Sequence, residues 1–421
     1  MNRLQLHGPR IDLVSEHASP LATLGGVDAG GQNVHVAALA RGLATLGARV
    51  VVHTRRDDPS LPDDVRFGPG VVVHHIDAGP PGPLPKDDLL PHMGEFAERL
   101  AEAWEADRPD VVHSHFWMSG LAALDAGRRM GIPVVHTYHA LGSVKRRHHG
   151  AADTSPPDRL AIEARLAREV DLVIATTGDE ACELEWMGGC PSRTTVIPCG
   201  VDLHRFNPVG PVARRTGRFR VVVVSRLVER KGVGNVIRAV ADVPGAELVV
   251  AGGPPEALLD EDSEARRFLA AAERLGVADR VRLLGGVDHD AVAALIRSAD
   301  VVACCPWYEP FGLVAVEAMA CGRPVVASAT GGLAETVVPG VTGLLVPPRD
   351  PDAIAAALRR LRARPALARR MAESGAQRAG RYGWERIASD TMAAYASVRL
   401  RASGPHGEAA VGRLAARVVR P

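Results

Sequence analysis

The chain has 421 residues, 46% of them hydrophobic and 24% charged, with 50 basic against 49 acidic side chains and a formal net charge of +1. At about 100 to 200 residues per domain this length predicts two or three domains with real cores, and the near-neutral charge excludes the electrostatic footprint of a nucleic-acid binder. The longest apolar runs, such as Val221-Val222-Val223-Val224, are strand-sized and far below the roughly 20 residues that span a bilayer. In chain order, β-rich apolar runs at 11–15, 49–54, 71–76, 111–115 and 134–136 alternate with helical patterns at 32–46 and 93–106, and the rhythm continues through 172–176 and 195–198. Such alternation predicts a parallel sheet covered by helices on both faces. The stretch 207–218 is rich in breakers and reads as a linker. A second series follows at 220–225, 247–250, 281–284, 300–304 and 324–328.

The fold class is therefore α/β, with doubly wound Rossmann-like domains over 1–205 and 206–383. A C-terminal element, 384–400, carries a helical segment at 384–398 expected to pack back on the first domain. The tail 401–421 is expected to be poorly ordered or weakly helical. Ligands of such sheets sit at the carboxyl ends of the strands, so a cleft between the domains is the expected site. The opening Met1-Asn2-Arg3-Leu4-Gln5 offers no apolar signal core, and six cysteines without a Cys-x-x-Cys pair suit neither a disulfide scaffold nor a zinc site. A cytoplasmic location is expected. Only three of the basic residues are lysines: Lys86, Lys145 and Lys231.

Three motifs carry chemistry. Gly25-Gly26-Val27-Asp28-Ala29-Gly30-Gly31-Gln32 stands between the first strand and a helix, where free backbone N–H groups make an anion site for a phosphate or diphosphate. A plain tight turn is the other reading, and the string matches neither the dinucleotide fingerprint nor a P-loop. Ser225-Arg226-Leu227-Val228-Glu229-Arg230-Lys231-Gly232 ends the first strand of the second domain. There two cations could neutralise a departing diphosphate, or the loop could simply be solvated. In Glu309-Pro310-Phe311-Gly312-Leu313-Val314-Ala315-Val316-Glu317 two carboxylates flank a helix start about two turns apart, spaced to accept from the hydroxyls of one elongated ligand.

The string from Glu309 to Glu317, with Arg226 and Lys231, Gly30-Gly31 and Val201-Asp202-Leu203 ahead of Phe206, resembles the retaining glycosyltransferases of family 4 over nearly the whole chain. The resemblance implies the two-domain GT-B architecture, a nucleotide-diphosphate sugar as co-substrate and no required metal or other cofactor. The segments 28–34, 110–120 and 136–145 are most similar to the inositol-phosphate glycosyltransferases of mycothiol synthesis and to sucrose-phosphate synthases. By this resemblance Arg226 and Lys231 clamp the diphosphate, Glu309 holds hydroxyls of the donor sugar, Glu317 holds the ribose, and His139 sits beside the transferred sugar. Backbone at Gly30, Gly31, Gly312 and Leu313 meets the diphosphate. The acceptor side comprises Gln32, Asn33, Lys86, Phe116, Ala140 and Arg159. Where the inositol-phosphate enzymes hold the acceptor phosphate with a lysine, a tyrosine, a threonine and an arginine, this chain keeps both cations and loses both hydroxyls.

The expected activity is hexosyl transfer with retention from a nucleotide sugar, UDP-glucose or UDP-N-acetylglucosamine by resemblance, to inositol phosphate or a sugar phosphate. An unphosphorylated cyclitol or aminocyclitol is the alternative acceptor. A nucleotide-sugar 2-epimerase and a catalytically silent sugar-nucleotide-binding subunit are the rival readings. Neither nucleic acid nor a membrane span is expected, and the resemblance allows a homodimer. Asp288-His289-Asp290 reads as a helix cap rather than a metal motif. His113, His115, His136 and His139 could face one site, but no acidic ligand is spaced among them and no metal is expected. The run 145–149 reads as a solvated basic loop, and Trp104, Trp186 and Trp384 as core or interdomain packing.

Overall fold

In the computed structural model, which describes residues 8–22, 30–150 and 153–402, the alternating runs build two sheets, each in its own compact unit. The first unit runs to Pro198 and resumes at Glu385, and the second is Cys199–Trp384. The glycine loop residues 25–29 and the tail beyond 402 lie outside the described residues. Among the described residues no helix is long and apolar enough to cross a membrane.

The first sheet contains β1 (Arg10–Val14), β2 (Arg49–Arg55), β3 (Asp64–Gly68), β4 (Val71–Ile76), β5 (Val111–His115), β6 (Val134–Thr137), β7 (Leu172–Ala175) and β8 (Thr194–Val196). Its spatial order is β3-β4-β2-β1-β5-β6-β7-β8, and every pair is parallel except β3 with β4. Ile11 of β1 pairs with Val50 on one side and Val111 on the other, so the strand order reverses on either side of β1. Asp12 of that strand is buried, and it accepts hydrogen bonds from Arg10 Nε (2.9 Å), His53 Nε2 (2.7 Å) and Trp104 Nε1 (2.9 Å). Burial alone would raise the Asp12 pKa, but the hydrogen bonds and charges of His53 and Arg10 outweigh it and hold the carboxylate below its ordinary value.

The second sheet holds β9 (Phe219–Val224), β10 (Ala246–Ala251), β11 (Val281–Leu283), β12 (Val301–Cys304), β13 (Val325–Ser328) and β14 (Gly343–Val346), all parallel, in the order β11-β10-β9-β12-β13-β14. This is the doubly wound order, with its switch point between β9 and β12. The valine run of β9 shows why such strands lack polar alternation. Val221 and Val223 pack with Val236, Ile237 and Val240 of the helix Val233–Ala241, whereas Val222 packs on the other face with Ala315 and Met319 of the helix Leu313–Ala320. Both faces are covered, so every position gains from being apolar.

Several expectations are corrected. The strand β3 was not legible because Asp64-Val65-Arg66-Phe67-Gly68 is a half-exposed antiparallel edge, and β14 was likewise not among the expected strands. The division of the chain falls at Pro198, and residues 199–205 go with the second unit because Val201 bridges to Gly383 and Phe206 enters the second core. The basic run 145–149 is no loop: it lies in the helix Gly142–His149, where Lys145 Nζ pairs with Asp153 (2.9 Å) and Arg147 with Glu183 (2.8 Å). Trp186 is 90% exposed and packs in no core, while Trp104 is fully buried. The final helix, Trp384–Ala402, belongs from Glu385 onward to the first unit, where the hydroxyl of Tyr395 bonds His113 Nδ1 (2.7 Å) and Arg399 pairs with Asp110 (2.7 Å).

Candidate active site

The second unit gathers charge at its switch point. After β9 the chain runs through Arg226 into a single 3-10 turn, Glu229–Lys231, and after β12 it runs through Trp307 to Gly312. The two loops touch through the Trp307 amide, which donates to the Arg230 carbonyl at 2.8 Å. Gly232 makes this closeness feasible. Its φ of +75° is left-handed, and a Cβ there would stand 1.9 Å from the Cys305 carbonyl oxygen. Lys231 Nζ thereby reaches Glu309 Oε2 at 2.5 Å, with the two side chains 19% and 22% exposed. Arg226 is exposed in the same loop, and its charge adds to burial in lowering the pKa of Arg230.

Gly312 has a φ of +95° and caps the helix Leu313–Ala320, whose first backbone N–H groups carry no side-chain cap. Glu309 lies outside this helix, so the two-turn spacing expected between it and Glu317 is not helical throughout. Only Glu317 stands on the helix. Glu317 is partly accessible yet enclosed by protein, and desolvation pushes its pKa up to about 7 against a smaller opposing effect of the Arg205 charge. Asp288 is a helix cap, its carboxylate accepting from the Ala291 amide at 2.7 Å.

The first unit organises its own switch point differently. Gly30 precedes the helix Gly31–Thr45 and both glycines are exposed, but the amides beside them are engaged within the protein. Gln32 Nε2 donates to Ser15 Oγ (3.1 Å) after β1 and to the His115 carbonyl (3.2 Å) at the end of β5. Asn33 accepts from the Gly30 amide (3.0 Å) and donates to the Ser19 carbonyl (3.0 Å). Phe116 follows β5 with a φ of +80°, and its ring lies 5.4 Å from Lys86 Nζ, 5.3 Å from the Arg159 guanidinium and 4.9 Å from the His17 ring. Arg159 is nearly fully buried and all three of its nitrogens are used. Nε donates to Glu163 (2.7 Å), Nη1 to Ser155 Oγ (3.2 Å) and Nη2 to the Ala140 carbonyl (2.7 Å).

His139 carries a φ of +61°, a left-handed backbone costing about 1–3 kcal/mol in a residue with a Cβ, of the kind that clusters at functional sites. Of the four histidines expected to converge, His113 is satisfied at both ring nitrogens by Tyr395 and Thr137, and His136 bonds Ser114. The His113 ring still lies against His115, with centroids 4.2 Å apart, and the structure adds His35 to His115 and His139. Burial pushes His35 down to about 4 and holds His115 and His139 well below the ordinary imidazole value, so all three are neutral at pH 7.

Sequence reasoning missed His35, although Asn33, His35, Val36, Leu39, Ala40 and Leu43 are the buried positions of its helix and an imidazole among them was the available signal. It also missed Glu16 and His17 after β1. The buried Glu16 carboxylate accepts from His17 Nδ1 (2.7 Å) and from Ser119 Oγ, orienting His17 against Phe116.

Residues 29–205 match the family model described as Glycosyltransferase Family 4, and residues 210–378 match Glycosyl transferases group 1. A D-inositol 3-phosphate glycosyltransferase from Kribbella flavida is 39% identical over 406 residues, covering 92% of this chain and 95% of the relative. One from Catenulispora acidiphila is 37% identical over 405 residues, covering 92% and 94%. Among solved structures, sucrose-phosphate synthase from Thermosynechococcus elongatus superposes with a TM-score of 0.84 at 34% identity, over 92% of this chain and 98% of that one. The Anabaena protein HepE, solved with UDP and glucose, has a TM-score of 0.72 at 22% identity over 92% and 100%, a likeness of fold.

Proposed function

The chain belongs to the family-4 glycosyltransferases, with their GT-B fold, and we propose that it moves a hexosyl group, with retention, from a UDP-linked sugar to a small polar acceptor. The observation that carries this reading is the Lys231–Glu309 pair at the second switch point. A diphosphate arriving there takes Lys231 and Arg226 as counter-charges, and Glu309, released from the lysine, accepts from hydroxyls of the donor sugar. Glu317 accepts from the ribose, and the bare helix start at Gly312-Leu313 faces phosphate. Cations that meet charge as it develops on the departing diphosphate favour the transition state over the ground state. The leaving phosphate takes the acceptor proton on the front face, so no second catalytic carboxylate is needed. With two cations at the diphosphate, transfer proceeds without a bound metal. His139 lies beside the transferred sugar, and the named inositol-phosphate relatives favour a phosphorylated acceptor at Lys86, Phe116 and Arg159.

A specific observation favours a second acceptor class. Phe116 and Ala140 offer no hydroxyl, and each nitrogen of the Arg159 guanidinium already donates within the protein, to Glu163, Ser155 and Ala140. Lys86 stands beside the Phe116 ring, and this hydroxyl-poor setting suits an unphosphorylated cyclitol or aminocyclitol. The purified protein, in chelator, is given UDP-, GDP- and ADP-sugars against inositol phosphate, fructose 6-phosphate, 2-deoxystreptamine and paromamine, with products read by mass spectrometry. A glycosylated product from a UDP-sugar supports the proposal, and the pairing that yields it chooses between the acceptor classes. Donor binding without product from any pair points to the silent subunit. Donor consumption without acceptor points to the epimerase.

A further inference from the structure

Three imidazoles in the first unit come from three different elements and meet with more order than sugar transfer requires. His35 projects from the helix Gly31–Thr45, His115 is the last residue of β5, and His139 follows β6. Their ring centroids stand 5.6 Å (His35–His115), 4.9 Å (His35–His139) and 5.2 Å (His115–His139) apart. One ligating nitrogen from each lies within 4.8 Å of the other two, and His115 Nδ1 is 3.0 Å from His139 Nε2. Three imidazoles sharing one zinc ion at Zn–N distances of about 2.0–2.1 Å place their ring centroids about 5 Å apart, which is the observed triangle.

The hydrogen bonding of His115 points the same way. One of its nitrogens faces another imidazole, and the other, Nε2, is buried with no hydrogen-bond partner among the described residues. Whichever tautomer it adopts, a lone pair or an N–H at Nε2 is left unmet in the interior, and ligation of a cation through Nε2 would meet it. His113, two residues earlier on the same strand and equally buried, is by contrast bonded at both ring nitrogens, to Tyr395 and Thr137.

We propose that His35, His115 and His139 form a three-histidine site for a borderline divalent cation, Zn2+ above all, with the fourth position left to water. An all-nitrogen set of neutral imidazoles selects against Mg2+ and Ca2+, which take oxygen ligands. Occupancy fixes His139 to the metal and turns it from the sugar, so zinc inhibits transfer reversibly. That coupling rests on the role proposed above for His139, whereas metal binding does not.

The test uses the full chain stripped with chelator and titrated with Co2+ and Zn2+. One ion per chain is expected, with the visible d–d bands of cobalt in a nitrogen and oxygen field and no thiolate charge-transfer band. His35→Phe keeps a ring of similar size but no ligand. It should weaken binding by more than the roughly 10- to 100-fold that loss of a mere outer-sphere partner costs a metal site. In chelator its transfer activity should stay close to wild type, and added Zn2+ that silences the wild type should spare the variant.

Absence of uptake by the wild-type chain overturns the proposal whatever the variant does, as does a cobalt spectrum dominated by thiolate. Uptake that a folded His35→Phe variant retains also overturns it. Binding that depends on His35 but leaves transfer untouched establishes the site and refutes the part assigned to His139.

Discussion

The two units place their switch points at the same topological position and treat the charges there in opposite ways. In the second, Lys231 meets Glu309 at 2.5 Å with both side chains about one-fifth exposed, so a ligand can enter between them. In the first, Arg159 and Glu163 are 3% and 0% exposed, and the arginine's two terminal nitrogens donate to Ser155 and the Ala140 carbonyl. Pairings of a cation with a glutamate therefore serve different ends. One pair is accessible to a ligand, and the other holds a helix and a loop together. Accessibility, not the presence of an ion pair, separates a binding element from a structural one.

Arg159→Ala gives the largest contrast. It strands the Glu163 carboxylate, which accepts from Arg159 and the Gly142 amide and whose pKa burial already raises, so stability should fall by about 3–5 kcal/mol. Denaturant unfolding reads that loss directly. A stable variant that has lost only acceptor affinity would move Arg159 to the ligand-facing class and restore a phosphate site to the first unit. Lys231→Ala should do the reverse. Its partner can turn to solvent, so stability should change little, while removing a donor to the developing charge lowers kcat by about 10²- to 10³-fold. Near-normal turnover of Lys231→Ala with any accepted pair would remove the lysine from the reaction.

Much of this was legible in the sequence for a physical reason. Parallel strands covered on both faces must be apolar throughout, so β9 and β10 stand out as Val221–Val224 and 247–250. The donor-side residues were legible because each lies in a short loop next to such a strand, where the chain order itself puts Lys231 and Glu309 at neighbouring strand ends. What was illegible depends on hydrogen-bond accounting over long separations. Nothing local reveals that Arg159 is spent on Ala140, that Gln32 ties β1 to β5, or that a helix-borne His35 completes a group begun by His115 and His139. The edge strand β3 was missed for the opposite cause, a lack of burial that leaves its residues free to be polar.

Glu317 provides the finest test of the same contrast, because its carboxyl is enclosed like Glu163 yet read as a ligand acceptor like Glu309. Desolvation raises its pKa to about 7 in the free protein. Ribose hydroxyls donate more strongly to the ionised carboxylate than to the neutral acid, so donor binding and ionisation favour one another. The sign follows: above pH 7 the carboxylate is already charged and affinity for UDP-glucose is flat. Below pH 7 binding is coupled to loss of that proton, and affinity falls with pH, at most about tenfold per unit. Glu317→Gln, neutral at every pH, should bind more weakly at pH 8 and lose the slope between pH 6 and pH 7. Calorimetric titration with UDP-glucose, whose diphosphate diester does not titrate in that range, isolates the glutamate. A slope that survives in Glu317→Gln would assign the proton to another group and leave Glu317 with the buried structural carboxylates of the first unit.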